Sequence, residues 1–118
     1  MGQVVLVAED DASVRMTIEF VLNDEGFEVL LAEDGEQALQ IALESQPDVI
    51  LLDQIMPKMD GKEVLTALRA DASTKDIPVL VLTGMARGEP SEWPGATFVG
   101  KPFSPDALIA RIREVLAD

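Results

Sequence analysis

Five short runs of mostly apolar residues recur along the chain, and each is separated from the next by a longer segment. The runs cover residues 4–8, 27–32, 48–52, 78–82 and 96–100. A continuous apolar run of this length is typical of a strand that is buried on both faces, as in a parallel sheet. The pattern therefore predicts five strands.

Four other segments place apolar residues at helical spacing. In residues 12–25 these positions fit one side of a helix, and Gly26 follows as a stop signal. The start signals of the other three helices are Asp34 with Gln37, Asp60 with Glu63, and Ser104 before Pro105. The repeated alternation of strand and helix predicts an α/β fold, with a parallel sheet that has helices on both faces.

One connection breaks this alternation. Residues 84–95 contain three glycines and two prolines, a composition that opposes a regular helix. We therefore expect the fourth helix, which would lie between Thr83 and Ala96, to be short or absent. Two interpretations stay open for this segment: a long surface loop, or a switch or docking surface.

Length and charge narrow the range of functions. With 118 residues, of which 47% are apolar, the chain suits one compact domain, and we expect it to span residues 1–118. Its 9 basic and 22 acidic residues give a formal net charge of -13. The electrostatic field of this negative charge repels nucleic-acid phosphates and anionic membrane surfaces, so we expect no direct contact with nucleic acid or membrane.

The chain contains no cysteine and no histidine. Their absence excludes disulfides, thiolate chemistry, His-ligated zinc and any Ser-His-Asp triad. The first apolar run is too short for a signal peptide core or a membrane span, which predicts a cytoplasmic protein. Candidate chemistry is thus left to carboxylates, hydroxyls and lysine.

Polar or charged residues lie where four of the predicted strands end. They are Glu9, Asp10 and Asp11 after the first strand, Asp53 after the third, Thr83 after the fourth and Lys101 after the fifth. Ligands of an open parallel sheet bind in the crevice beyond the carboxyl ends of the strands. We therefore expect these side chains to converge on one site.

Each of these residues also has a structural explanation. Acidic residues between a strand and a helix often serve as N-caps, and we favour this interpretation for Asp11. Taken singly, Asp53 could be a solvated loop acid, Thr83 a turn hydroxyl and Lys101 a surface lysine. Their joint occurrence at successive strand ends argues for a functional site.

Carboxylates brought together at this edge would favour a cation. Glu9, Asp10 and Asp53 in one crevice would be a costly arrangement unless a cation lies among them or some carboxylates are protonated. Mg2+ prefers oxygen ligands and commonly binds through one or two carboxylates and phosphate oxygens. With the ion bound, Asp53 could attack phosphorus and form an aspartyl phosphate. Lys101 could then supply a positive charge, and Thr83 a hydroxyl donor.

The segments that carry these residues resemble the receiver domain of bacterial response regulators, in the CheY-like superfamily, over almost the whole chain. The matching segments are VLVAEDDASVR, DVILLDQIMPKMDG, VLVLTG and FVGKPF. The resemblance implies a doubly wound, flavodoxin-like domain whose five parallel strands lie in the order 2-1-3-4-5.

The resemblance also implies a role for each matching residue of the metal site. Asp53 would accept the phosphoryl group. Mg2+ would be bound by Asp10, Asp53 and the backbone carbonyl of Ile55. Glu9 would act through a metal-bound water.

Residues near the last two strands would complete the phosphate site. The resemblance implies that Thr83 bonds one phosphoryl oxygen after transfer and that Lys101 pairs with another. It implies a cis bond between Lys101 and Pro102. Phe98 matches the aromatic switch residue of the family but lacks a hydroxyl, and ordinary core packing is the alternative explanation for this ring.

Two features depart from the family pattern. Ile55 and Met85 flank the expected path of the hydrolytic water with apolar side chains, and we hypothesise that they influence how long the phosphate persists; local packing is the alternative. The helix-opposing segment 84–95 is shorter than the usual connection. In relatives this region forms part of the surface that transmits the signal, so we expect a changed surface here.

The sequence therefore predicts a signalling domain that assists only its own phosphorylation and dephosphorylation. A histidine kinase or histidine phosphotransfer protein would be the donor, since the chain has no histidine of its own. The downstream target is not identified, and a phosphorylation-dependent dimer is a further expectation. One alternative is a Mg2+-dependent phosphohydrolase, although Ile55 stands where such enzymes place a second carboxylate. The other is a docking module that works without phosphorylation.

Overall fold

The computed structural model describes residues 3–83, 93, 95–100 and 103–117. Its strands are β1 (Val4–Ala8), β2 (Glu28–Ala32), β3 (Val49–Asp53), β4 (Val79–Thr83) and β5 (Ala96–Gly100). Its helices are α1 (Ala12–Asp24), α2 (Gly35–Ser45), α3 (Gly61–Ala70) and α4 (Pro105–Leu116). All neighbouring strands are parallel, in the order β2-β1-β3-β4-β5, which confirms the predicted fold.

Five strand boundaries differ by one residue from the prediction: the start of β2 and both ends of β3 and of β4. Asp53 and Thr83 are the last residues of β3 and β4 rather than the first residues after them. At the start of β2, Phe27 belongs to the end of the preceding helix, because its N–H donates to the Leu22 carbonyl at 3.0 Å. Gly26, at φ 91°, supplies the left-handed turn that this helix end requires.

Side-chain oxygens cap all four described helices. Asp11 accepts from the N–H groups of Ser13 and Val14, so the N-cap interpretation of this residue is confirmed. Ser104 caps α4 in the same way, by accepting from the Ala107 N–H at 3.1 Å. These caps fix where the chain turns from each loop into the following helix.

The two residue pairs that were identified as start signals, Asp34 with Gln37 and Asp60 with Glu63, were expected to form capping boxes, and they differ in the structure. At α3 the box is complete: the Glu63 N–H donates to Asp60 at 2.9 Å, and the Asp60 N–H donates to Glu63 at 3.0 Å. At α2, Asp34 accepts from the Gln37 N–H at 2.8 Å, but the Gln37 side chain accepts from Glu33 rather than from Asp34. Both backbone amides precede the helix and lack an intrahelical acceptor, so this side chain can satisfy either one.

The sheet lies between two apolar layers. On one side, here called the α2–α3 face, buried strand residues pack on residues such as Ala38 of α2 and Leu65 of α3. On the other side, the α1–α4 face, they pack on residues such as Ile18 of α1 and Ile112 of α4. Both layers are apolar because the strands of a doubly wound sheet carry apolar residues on each side. A functional site is therefore expected at the polar ends of the strands rather than within these layers.

Several predictions fall on residues that the structure does not describe. Of the segment 84–95, only Trp93 and Gly95 belong to the described residues, so the short or absent fourth helix lies outside them. Met85, and Lys101 with Pro102 and their cis bond, also lie outside. No helix in the described part of the chain is long and apolar enough to cross a membrane.

Candidate functional site

Three carboxylates meet at the carboxyl edge of the sheet. Glu9 and Asp10 directly follow β1, and Asp53 ends β3. Each offers a carboxylate oxygen, and these three atoms all lie within 4.8 Å of one another. The convergence arises because β1 and β3 are adjacent strands whose last paired residues are Ala8 and Leu52. The predicted grouping of these acids is therefore present in the structure.

The three carboxylates differ in their access to solvent. Glu9 is 1% exposed and Asp53 is 8% exposed, whereas Asp10 is exposed. The Glu9 carboxylate accepts a hydrogen bond from the Asp11 N–H at 3.2 Å. Two buried acids and one exposed acid at this spacing are costly as bare charges and fit a small, hard cation that is reached from solvent.

Arg15 adds positive charge behind the acidic pair. Its guanidinium Nη1 donates to the backbone carbonyl of Glu9 at 2.8 Å and lies 3.5 Å from that of Asp10. It thus holds the backbone from which both acidic side chains project. Sequence reasoning missed this residue, and the available signal was a basic side chain one turn into the helix that follows the acids.

The start of the loop after Asp53 is fixed by a close backbone approach. Gly61, the first residue of α3, donates its N–H to the Gln54 carbonyl at 2.9 Å. A Cβ atom at Gly61 would lie 2.5 Å from the Asp53 carbonyl oxygen and 3.1 Å from the Gln54 Cα. Only glycine fits this contact without a shift of the backbone that carries Asp53.

The far end of the same loop rests on α2. A Cβ atom at Gly35 would overlap the Met59 carbonyl group. Lys58 has a φ of 71°, and the Met59 N–H donates to the Pro57 carbonyl at 2.8 Å across it, which forms a tight turn of three residues. The loop is therefore held at both ends, by the first residues of two helices. The role of Gly35 was missed from the sequence.

Ile55 lies in this loop with its side chain directed to solvent. It is 73% exposed, whereas the next residue, Met56, is 6% exposed. Local packing was the alternative explanation for an apolar residue at this position, and such exposure does not support it. The position leaves an apolar side chain at the rim of the carboxylate site.

The ends of β4 and β5 adjoin the carboxylates. Asp53 pairs in register with Leu82, and Thr83 pairs with Gly100, the residue before Lys101. The backbone of Thr83 thus lies at the same edge as Asp53, and only its backbone is described. The predicted contribution of Lys101 lies outside the described residues.

Phe98 packs in the core beside a second aromatic ring. It is half-buried against the α2–α3 face, where its ring centroid lies 5.6 Å from that of Trp93 at an interplanar angle of 76°. Trp93 is 4% exposed. Core packing therefore accounts for the present position of Phe98. Sequence reasoning missed Trp93, although it is the only tryptophan of the chain.

Similarity to known sequences follows the same segments. The profile of the response regulator receiver domain matches residues 5–113. The phosphate regulon transcriptional regulatory protein PhoB of Klebsiella pneumoniae is 40% identical, over 98% of this chain and 52% of PhoB. The probable transcriptional regulator ycf27 of Guillardia theta is 41% identical, over 95% of this chain and 44% of that protein. The chain spans about half the length of these curated relatives.

Solved structures agree over nearly the full length. Chemotaxis response regulator CheY4 of Vibrio cholerae matches with a TM-score of 0.90 and 34% identity, over 98% of this chain and 99% of that one. The receiver domain of the sensor histidine kinase PA1611 of Pseudomonas aeruginosa PAO1, solved with magnesium coordinated in its active site cleft, matches with a TM-score of 0.90 and 28% identity over 100% of both chains. The chain belongs to the response regulator receiver domain family, which acts in two-component signalling.

Proposed function

We propose that residues 1–118 form a receiver domain that accepts a phosphoryl group on the Asp53 carboxylate. The observation that carries this proposal is the grouping of Glu9, Asp10 and Asp53, whose carboxylate oxygens lie within 4.8 Å of one another at the carboxyl edge of the sheet. Asp53 ends the central strand β3 and retains some access to solvent, at 8%. A nucleophile needs both a fixed position and a path for its substrate.

The donor set fits Mg2+. All three side chains present oxygen, the element that Mg2+ prefers, and the exposed side of Asp10 leaves room for water ligands. In this proposal Asp10, Asp53 and the Ile55 backbone carbonyl hold the ion, and Glu9 acts through a bound water. The magnesium in the cleft of the PA1611 receiver domain supports this assignment. When bound, the ion neutralises the acids and the phosphoryl oxygens.

The transfer itself uses few groups of the chain. A carboxylate oxygen of Asp53 forms a bond to phosphorus while the bond between phosphorus and the donor imidazole nitrogen breaks, and the bonding pair returns to the imidazole. Thr83 donates a hydrogen bond to one phosphoryl oxygen, and Lys101 pairs with another. Gly61 and Arg15 contribute by holding the backbone of the acidic residues in place.

A phosphohistidine of a kinase or phosphotransfer protein is the proposed donor. Residues 1–118 contain no histidine, so the donor histidine lies outside this domain. Its curated relatives are about twice as long and are transcriptional regulators, so the downstream target here is a further domain or partner of the same kind of pathway. A dimer that forms on phosphorylation stays a prediction.

Mass spectrometry tests the acceptor directly. The protein is incubated with Mg2+ and acetyl phosphate, and we expect a mass gain of one phosphoryl group that Asp53→Asn abolishes. Asp106→Asn is the matched control, since Asp106 is an exposed acid at the start of α4 and should leave the gain unchanged. Absence of an adduct in the unaltered protein would contradict the proposal, and release of phosphate from simple esters would favour the phosphohydrolase instead.

Ile55 offers a test of the phosphate lifetime. Its 73% exposed side chain stands at the rim of the site, where a polar group could orient a water toward the aspartyl phosphate. We expect polar substitutions at Ile55 and Met85 together to change the rate of phosphate loss, followed by mass spectrometry after removal of the donor. An unchanged lifetime would count against this role.

A further inference from the structure

The turn at the far end of the loop after Asp53 is built around a residue in the left-handed region. Lys58 has a φ of 71°, and the Met59 N–H donates to the Pro57 carbonyl at 2.8 Å across it. Residues other than glycine adopt this backbone at a cost, and surrounding contacts are needed to hold it. The turn therefore depends on support from outside the loop.

The first residue of α2 supplies this support. Gly35 is buried, and its N–H donates to the Pro57 carbonyl at 3.4 Å. A Cβ atom at Gly35 would overlap the Met59 carbonyl group and would lie 2.7 Å from the Met59 Cβ. The two backbones are thus in direct contact, and a single added methyl group would push the turn away from the helix.

The contact with the turn explains why position 35 is a glycine. Gly35 lies in a helix and is not among the described glycines with a positive φ, so its backbone conformation is open to other residues. Glycine is also a poorer helix former than alanine. What only glycine allows here is the close approach of the Met59 carbonyl. Gly35 therefore serves the position of the turn rather than the conformation of the helix.

An ion pair joins the same two segments. The Lys58 Nζ lies 3.7 Å from the Asp34 Oδ2, and the Lys58 side chain is 60% exposed. Asp34 is held in place because it caps α2, by accepting from the Gln37 N–H at 2.8 Å. An ion pair with one partner so exposed contributes little by itself. The backbone contact of Gly35 is therefore the main link between α2 and the turn.

The loop after Asp53 is thus held by a helix start at each end. At its beginning, Gly61 donates to the Gln54 carbonyl at 2.9 Å, and a Cβ atom at Gly61 would lie 2.5 Å from the Asp53 carbonyl oxygen. Ile55, whose backbone carbonyl is a proposed Mg2+ ligand, lies in the sequence between this contact and the one at Met59. Two fixed ends restrict how far that carbonyl can move relative to the Asp53 carboxylate.

We propose that Gly35 is a positioning residue of the metal site and that its contact with Met59 gives the site a preference for Mg2+ over Ca2+. This inference rests on the proposed function, because it takes the Asp53 carboxylate and the Ile55 carbonyl as ligands of the ion. Mg2+ requires near-octahedral geometry at about 2.0–2.1 Å, whereas Ca2+ accepts oxygen ligands at about 2.3–2.6 Å in flexible arrangements. A rigid loop disfavours the larger ion, and a loop pushed out of position disfavours the smaller one.

Titration of the backbone amide resonances with MgCl2 or with CaCl2 gives the two dissociation constants without any phosphodonor. In Gly35→Ala the constant for Mg2+ should rise about 10-fold or more, as for other residues that orient metal ligands. The constant for Ca2+ should change by less than about threefold, because Ca2+ tolerates altered geometry. Ala42→Gly is the matched control: it weakens α2 at a buried position away from the turn and should keep both constants.

Two substitutions of Lys58 separate position from charge. Lys58→Met removes the ion pair with Asp34 and fits the turn as well as lysine does, so both constants should change by the same factor. Lys58→Val removes the same charge and adds a β-branched side chain at a φ of 71°, which opposes the left-handed backbone. Its preference for Mg2+ should fall as in Gly35→Ala. This pair also replaces Gly35→Ala if that variant does not fold, as judged by circular dichroism.

The outcomes separate the two proposals. An unchanged preference for Mg2+ in folded Gly35→Ala, or in Lys58→Val, would overturn the positioning role and leave the phosphoacceptor assignment intact. A preference lost equally in Lys58→Met and Lys58→Val would overturn it too, because charge would then be the cause. So would equal affinities of the unaltered protein for the two ions. Absence of Mg2+ binding, or binding that is as tight in Asp53→Asn, counts against the proposed function instead.

Discussion

The carboxyl edge of the sheet has two halves that are held in place in different ways. At the β1–β3 half, Glu9, Asp10 and Asp53 are positioned by neighbouring strand ends and by loops in close backbone contact with helix starts. At the β4–β5 half, Phe98 packs against the ring of Trp93. The side chain of Arg69 donates to the carbonyl of Gly95, two residues after Trp93. The first half is thus held mainly by backbone contacts, and the second by the contacts of a few large side chains.

This difference has a physical basis. A metal and phosphate site requires oxygen atoms fixed to within a fraction of an ångström, and backbone contacts provide such rigidity. Contacts between large side chains depend instead on how well each side chain fills the space between its neighbours. The two halves should therefore respond differently to substitution.

The largest expected effect lies in the β4–β5 half. Trp93→Ala should lower the free energy of unfolding by about 3–5 kcal/mol, because it removes a large side chain that is 4% exposed. Urea denaturation measures the loss. Phe20→Ala is the matched control, since Phe20 is 73% exposed and should change stability by less than about 0.5 kcal/mol. Equal effects of the two substitutions would mean that Trp93 does not stabilise this half.

The next effect tests the backbone contact of the β1–β3 half. Gly61→Ala should cost about 1–3 kcal/mol of stability, because the new Cβ would lie 2.5 Å from the Asp53 carbonyl oxygen. The higher helix propensity of alanine offsets about 1 kcal/mol or less. Urea denaturation measures the stability, and mass spectrometry should show slower phosphorylation of Asp53.

Gly100→Ala provides the comparison for that substitution. Gly100 ends β5 at the same edge of the sheet, and among the described residues a Cβ atom there meets nothing within 4 Å. Stability and phosphorylation should both be close to those of the unaltered protein. If Gly61→Ala behaves like Gly100→Ala, the close approach to Asp53 does not position the carboxylate.

A smaller effect concerns the cap of α3, the helix that holds the loop after Asp53. Asp60→Ala should cost about 1 kcal/mol, because it removes the acceptor of the Glu63 N–H and breaks the capping box. Asp60→Asn keeps an oxygen acceptor and should recover most of the loss. Thermal denaturation can compare the three proteins, and equal stability of the alanine and asparagine variants would speak against capping as the cause.

The smallest expected effect is a pH dependence of stability that arises at Asp71, which belongs to neither half. The Ser73 hydroxyl and N–H donate to Asp71, and these hydrogen bonds lower the pKa of that carboxyl from its ordinary value. Because the folded pKa is the lower one, this stabilisation is present above the unfolded pKa and is lost as the pH falls through the folded value. Ser73→Ala should thus be less stable than the unaltered protein near neutral pH. Denaturation at about pH 7 and about pH 3 should show the difference shrink in acid.

The fold and much of the site could be predicted from local patterns. The apolar runs located five strands to within one residue, and the acids at the strand ends were recognised as a group from the sequence alone. Asp11, Asp60 and Ser104 were identified as caps because the N-cap preference depends on a few consecutive residues. The error at Gln37 was of the same local kind, a choice between two adjacent amides.

Contacts between distant segments could not be predicted in this way. Gly35 touches Met59, Arg69 reaches Gly95, and Trp93 packs on Phe98. The residues around one position do not indicate which distant segment will lie next to it in the folded chain. Trp93 was therefore considered only as part of a stretch that opposes a helix, and its burial in the core was not anticipated.

The amino-acid sequence by itself determined the order of strands and helices along the chain, the helix caps and the chemical character of the strand ends. These features follow from periodicity and from residue preferences within a few positions. Only the tertiary structure decided which glycines allow the loop after Asp53 to approach its neighbours, and that Trp93 lies against Phe98. Such contacts depend on how the layers pack, because steric fit between remote segments exists only once the chain is folded.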